Sequence, residues 1–122
     1  MQTLLLLGSL NMIVAVILGA FGAHALKKKL QPEQLAVYQT GVQYHIVHAL
    51  GILVVGLLTG DAAVGSLAVT AGWVLFIGIV LFSGSLYVLS ITGIRKLGAI
   101  TPLGGLAFIA GWAILVAALL QN

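Results

Sequence analysis

Every lysine and arginine of this chain falls in one of two short gaps between long apolar runs. Lys27, Lys28 and Lys29 fill the first gap, Arg95 and Lys96 the second. Only Glu33 and Asp61 add further formal charge. A soluble domain needs about 25% charged residues to solvate its surface; this chain has 6%, against 61% hydrophobic. Four helices of about 20 apolar residues would take up nearly all of it. The pattern predicts an all-α integral membrane four-helix bundle, one membrane domain over residues 1–122, with no room for a soluble catalytic domain.

Local signals divide the chain into spans of about 3–25, 32–58, 62–92 and 102–120. The second opens on Gln31-Pro32-Glu33, where proline suits a first helical turn and a carboxylate complements the helix dipole. It ends at Leu58 with Gly60 placed to cap it, and Asp61 is placed as N-cap of the third, from Ala62. Gly93 is the stop signal for the third span, and Thr101-Pro102 gives the fourth a cap-then-proline start, with Thr101 as N-cap.

With four spans, the two basic loops lie on one side. The positive-inside rule assigns that side to the cytoplasm, leaving both termini and the Asp61 turn outside. Ala23-His24-Ala25 has the look of a signal-peptide cleavage site, but the lysines follow the apolar run instead of preceding it, so the segment reads as a retained span. The net charge of +3 comes from these topology signals, and no basic patch is interleaved with exposed aromatics for nucleic acid. The absence of cysteine removes thiolate and iron–sulfur chemistry.

Gly8, Asn11, Ala15, Gly19 and Gly22 form a small-residue stripe on span 1, and Ala107, Gly111 and Ala118 give span 4 a similar surface. In lipid, where burial supplies no drive between helices, such stripes let backbones approach closely. Gly8, Asn11, Gly19, Gly22 and Gly111 are therefore expected in helix packing, with Asn11 as an interhelical hydrogen-bonding group.

Span 2 is the anomalous one. To cross, it must include Tyr38-Gln39-Thr40-Gly41-Val42-Gln43-Tyr44-His45. At 1.5 Å per residue this places His45 roughly 10 Å and His48 roughly 15 Å inside the cytoplasmic boundary. Tyr38, Gly41, His45 and His48 share a helix face, flanked by Tyr44, while Gln39 and Gln43 point elsewhere. Ionisable groups at that depth must face the bundle or a wet cavity. Span 3 carries Ser83, Tyr87 and Ser90 at helical spacing and matching depth, so a polar pocket is expected between spans 2 and 3. His24, about 10 Å from the depth of His45, would stand near its cytoplasmic mouth.

Three chemistries are open to the histidine pair. The plainest is two neutral rings hydrogen-bonded across helices. A second is a ligand-binding or proton-handling pocket, a third a metal or haem site completed between two protomers. With only two carboxylates, both at helix ends, carboxylate-pair catalysis, a hard-cation cage and a hydrolytic triad all lack parts, and no catalytic constellation is recognised.

Four blocks extend this reading to a family. Gly19-Ala20-Phe21-Gly22-Ala23-His24-Ala25-Leu26 is one, and Tyr38 to His45 with His48-Ala49-Leu50 the second. Phe82-Ser83-Gly84-Ser85-Leu86-Tyr87 and Gly98-Ala99-Ile100-Thr101-Pro102-Leu103-Gly104-Gly105 complete the set. Together they resemble the domain-of-unknown-function family of small four-span membrane proteins typified by bacterial YwdK and YgdD, with mitochondrial relatives in animals. The resemblance implies four spans in a bacterial cytoplasmic (inner) membrane and no particular reaction.

The functional expectation is a small membrane protein that binds or passes a small molecule or ion at His24, Tyr44, His45, His48, Ser83 and Tyr87. Neither a cofactor nor a resident metal is named by these residues. The alternative is a non-catalytic accessory or assembly subunit, docking through Gly/Ala-rich faces of spans 1 and 4 onto a second copy or a larger membrane complex.

Overall fold

The computed structural model describes residues 2–61 and 64–121, and among them all regular structure is helical. Helix α1 runs Gln2–His24 and passes into a 3-10 turn, Leu26–Lys28. Helix α2 spans Pro32–Leu58, its proline in the first turn where a missing N–H costs nothing. The third span is Gly65–Thr92, built from α3 (Gly65–Gly78), one π-helical turn (Ile79–Ser83) and α4 (Gly84–Thr92). A second 3-10 turn, Arg95–Ala99, leads into α5 (Thr101–Leu120). These make four helices long and apolar enough to cross a membrane.

Three local expectations are corrected. At the end of α2 the chain does not use Gly60 as a left-handed cap. Thr59 is the C-cap, its hydroxyl donating to the Gly56 carbonyl at 2.7 Å, and Gly93 is the one described glycine with positive φ. The expected start of span 3 at Ala62 lies outside the described residues. Among those described, the helix begins at Gly65 with Val64, not Asp61, as N-cap; the Asp61 carbonyl instead accepts the Val64 N–H one turn earlier. Thr101 is the first helical residue of α5 and not its cap, and its hydroxyl stands 2.6 Å from that of Ser85. Gly93 does terminate α4, at φ 72°, a conformation that costs glycine no Cβ clash.

Helix α2 is the hub. One face packs on α1 and the next on the third span, while α5 packs mainly on the third span. The apolar core (Leu4, Ile52, Val55, Ala68, Ala71, Leu75, Leu115, Ala118) lies towards the Asp61 turn, and Phe108 extends it to the level of His48. Outward faces carry Leu6, Leu10, Ile17, Leu50, Leu57, Ile77, Leu106 and Ile109, the surface a bilayer would solvate. Glycines set the approach distances. A Cβ on Gly8 would lie 2.8 Å from Leu53 Cγ, and one on Gly22 would enter the Tyr38 ring. The closest approach is Gly104, where a Cβ would stand 2.6 Å from the Phe82 Cα, so α5 crosses the π turn backbone to backbone.

Candidate functional site

In the half of the bundle towards the basic turns, α2 turns Tyr38, Gly41, His45 and His48 inward, all buried. His45 is held from two sides. Its Nε2 lies 3.0 Å from Asn11 Oδ1 on α1, and its Nδ1 lies 2.8 Å from the Tyr87 hydroxyl on α4. Asn11 Nδ2 donates to the Leu7 carbonyl at 2.9 Å, which fixes the amide with its oxygen towards the histidine. An amide oxygen only accepts, so Nε2 carries the hydrogen and Nδ1 receives the Tyr87 O–H.

His48 has the opposite tautomer. The Trp112 indole N–H, a donor only, reaches Nε2 at 3.1 Å, so that nitrogen is bare. Nδ1–H then donates to the Tyr44 carbonyl at 2.9 Å. The Phe108 ring stacks on the imidazole with centroids 3.6 Å apart, and Tyr44 packs on Phe82 at 4.6 Å. Protonating His48 would set two N–H groups against each other at Trp112, whereas Tyr87 oxygen can accept from a protonated His45.

Ser83, fully buried in the π turn, donates to the Gly41 carbonyl at 2.8 Å. A π turn leaves backbone groups out of α-helical register; here Gly84 N–H reaches back five residues to the Ile79 carbonyl. Gly41 also lets Tyr87 lie across α2, since a Cβ there would be 3.0 Å from its ring. Tyr38 O–H closes the set onto the Leu18 carbonyl at 2.5 Å. Among the described residues no buried side-chain nitrogen or oxygen is left without a partner.

The structure therefore divides the expected site residues. His45, Tyr87 and Ser83 join in direct interhelical hydrogen bonds, so the space between spans 2 and 3 is filled. Tyr44 and His48 border a recess of about 260 Å³ together with Gln43 and Val47. Tyr44 is 42% exposed on the outer face, and neither its hydroxyl nor the Gln43 carboxamide has a hydrogen bond among the described residues. His24 lies exposed at the end of α1, bonded to none of the others. A larger recess, about 380 Å³, runs between α1 and α2 along Gly19, Gly22, Ala23, Tyr38, Gln39, Val42 and Gln43. Among the described residues no three His, Asp or Glu side chains gather as a metal centre, and every ring nitrogen of His45 and His48 is engaged, so a metal on either would displace one of these bonds.

Trp112 and Phe108 escaped the sequence reading. The signal was available: an indole N–H inside a span needs an acceptor, and Trp112 lies ten residues beyond Pro102, roughly 15 Å deep, the depth of His48.

The model for proteins of unknown function designated DUF423 matches residues 18–105. The UPF0382 membrane protein YwdK of Bacillus subtilis is 54% identical over 97% of this chain and 96% of its own length. A UPF0382 membrane protein of Staphylococcus epidermidis is 48% identical over 99% and 98%, and one of Staphylococcus aureus strain USA300 is 44% identical over 97% and 95%. No solved structure matches the chain.

Proposed function

The chain belongs to the DUF423 family of multi-pass bacterial membrane proteins, which has no assigned molecular function, and we propose that it binds a small membrane-dissolved molecule in the recess beside His48. One observation carries this reading. Among the described residues the Tyr44 hydroxyl and the Gln43 carboxamide have no hydrogen-bond partner, and they lie on the outer face of a span against a recess of about 260 Å³. Polar groups left facing hydrocarbon are costly, and a ligand that accepts and donates there offsets the cost. Entry would be sideways from the bilayer. Phe82 and Phe108 stack beneath Tyr44 and His48 and stiffen that wall. The Asn11–His45–Tyr87 chain behind it fixes the angle between α1, α2 and α4. His24 stands apart from the recess.

Native mass spectrometry of gently extracted protein tests the reading. A retained small mass in the wild type is expected to disappear in Gln43→Leu/Tyr44→Phe, which keeps the Tyr44 carbonyl bond to His48. Retention of the mass in that variant, or a bare wild-type protein, refutes it.

In the membrane we assign both termini outside and both basic turns to the cytoplasm, supported by five basic residues in two loops against none in the third. Because the chain has no cysteine, single cysteines at Gln2 and Lys96 report the sidedness directly with an impermeant thiol reagent.

The accessory-subunit reading rests on a different surface from the glycines. Gly8, Gly22 and Gly111 face inward against Leu53, Tyr38 and Leu75, whereas Ala110, Ala113 and Ala117 form an exposed small-residue line on α5. Loss of a co-extracted partner in Ala113→Leu, with the recess ligand unaffected, would favour it.

A further inference from the structure

At the end of the bundle that holds the basic turns, a separate recess of about 410 Å³ opens between the start of α2 and the end of α4. Its walls are Glu33, Gln34 and Val37 from α2, and Leu89, Ser90, Gly93 and Arg95 from α4 and the turn beyond. The chain has two carboxylates and five cationic side chains in all; one of each meets here. The fold brings them together for local reasons. A carboxylate is favoured in the first turn of α2, and the left-handed Gly93 turns the chain just after α4 ends, with Arg95 two residues beyond it. Both side chains are exposed, and among the described residues no ion pair joins them.

A recess bordered by opposite charges that do not neutralise each other selects against a ligand of one sign. A bare phosphate on Arg95 would face the Glu33 carboxylate, and a bare amine on Glu33 would face the guanidinium. A ligand carrying both a phosphate and an ammonium satisfies both. Guanidinium forks onto phosphate oxygens with two parallel N–H donors, and a carboxylate accepts the N–H donors of a primary ammonium. The volume lies within the range of about 300–1,000 Å³ usual for small-molecule sites. Val37 and Leu89 add apolar wall to the same recess, a surface that suits the apolar part of a lipid.

We propose that this recess binds the phosphoethanolamine group, phosphate on Arg95 and ammonium on Glu33. The group has two sources, the headgroup of phosphatidylethanolamine or a soluble phosphoethanolamine ester. The site is independent of the recess beside His48, with which it shares no residue.

The test uses the full chain in vesicles of equal phosphatidylethanolamine and phosphatidylglycerol with matched acyl chains, followed by native mass spectrometry of retained lipid. The wild type is expected to retain phosphatidylethanolamine over phosphatidylglycerol by about fivefold, a difference typical of one exposed charge contact. Glu33→Gln removes the preference, Arg95→Gln lowers retention of both lipids, and Lys96→Gln, outside the recess, changes neither. Equal retention by the wild type overturns the proposal. So does a preference that survives Glu33→Gln, or a Lys96→Gln effect equal to that of Arg95→Gln, which would mark a diffuse positive surface. Displacement of retained lipid by millimolar phosphoethanolamine would assign the soluble ester as sufficient ligand, and resistance to it would assign the lipid. Because the variants stay exposed and polar, an unchanged helical circular dichroism spectrum is the folding control.

Discussion

Gly104 and Gly105 are adjacent residues of the same helix turn, and alanine at each should have opposite consequences. Both substitutions remove backbone freedom from the unfolded chain, which by itself stabilises a helix by about 0.5–1 kcal/mol. The surroundings differ. At Gly105 the nearest atom to a new Cβ is Phe82 Cδ2 at 4.0 Å, an ordinary contact with the far end of a side chain. At Gly104 the new Cβ would stand 2.6 Å from both Cα and Cβ of Phe82, and closer still to its amide nitrogen. These are backbone-anchored atoms in the π turn, so no rotamer change relieves them; α5 must retreat by the better part of an ångström. Overpacking of this kind costs about 1–3 kcal/mol. Subtracting the propensity gain leaves Gly104→Ala destabilising by up to about 2.5 kcal/mol, with Gly105→Ala neutral or slightly stabilising. Reversible unfolding in mixed micelles, followed by circular dichroism, measures both. Equal stabilities for the two variants would refute the backbone-to-backbone crossing and with it the placement of α5 on the π turn.

Other consequences follow from the hydrogen bonds. Nitrogen-15 spectra of histidine-labelled protein should show His48 as the Nδ1–H tautomer and His45 as the Nε2–H tautomer; one tautomer for both would contradict the Trp112 or Asn11 contact. Trp112→Phe removes the indole donor to His48 Nε2 and opens the space over Gly51, where a Cβ would meet the indole at 2.9 Å. It should cost more than the average of about 0.6 kcal/mol for an interhelical hydrogen bond in a membrane protein. Tyr87→Phe removes only the bond to His45 Nδ1 and should cost between about 0.6 and 1.7 kcal/mol by the same unfolding assay. Gly111→Leu should unfold the isolated protein more readily, since its Cβ alone would lie 2.6 Å from Leu75 Cδ2; unaltered stability would point to an outward-facing Gly111.

The spans were legible because length and apolarity leave few alternatives for a chain whose charges sit only at helix ends. The inward face of α2 was legible for the same reason, since the bilayer penalises the other orientation. Counting depth along two antiparallel helices set Tyr87 level with His45, to which it bonds, but set Ser83 level with His48, whereas the Ser83 hydroxyl bonds the Gly41 carbonyl two turns nearer the basic end. The capping residues Thr59 and Val64 were not legible. Caps at such ends contribute only about 1 kcal/mol, so the tertiary position of the turn overrides the Gly60 and Asp61 signals. The π turn left no mark in composition. Gln43 was set aside as pointing elsewhere, and that direction is outward, onto the walls of two recesses.

The polar half of the bundle thus contains two different uses of the same chemistry. His45 spends both nitrogens on α1 and α4, and Ser83 spends its hydroxyl on α2, so these groups act as cross-links in a solvent that offers none of its own. A sealed network of this kind specifies helix register and leaves nothing over for a ligand. His48 is also saturated, yet its partners differ, because Trp112 and Phe108 come from α5 and hold the ring as a wall beside an opening. Tyr44 and Gln43, whose side-chain hydroxyl and carboxamide have no hydrogen bond among the described residues, lie on the outer side of that wall. Replacing the histidines would therefore loosen the scaffold before it touched recognition, and a binding defect in His45→Ala/His48→Ala cannot by itself distinguish the two. The separating comparison is Gln43→Leu/Tyr44→Phe against Tyr87→Phe. Binding lost in the first pair at wild-type stability, and kept in the second despite lower stability, places recognition on the outer face; the reverse pattern places it in the sealed interior.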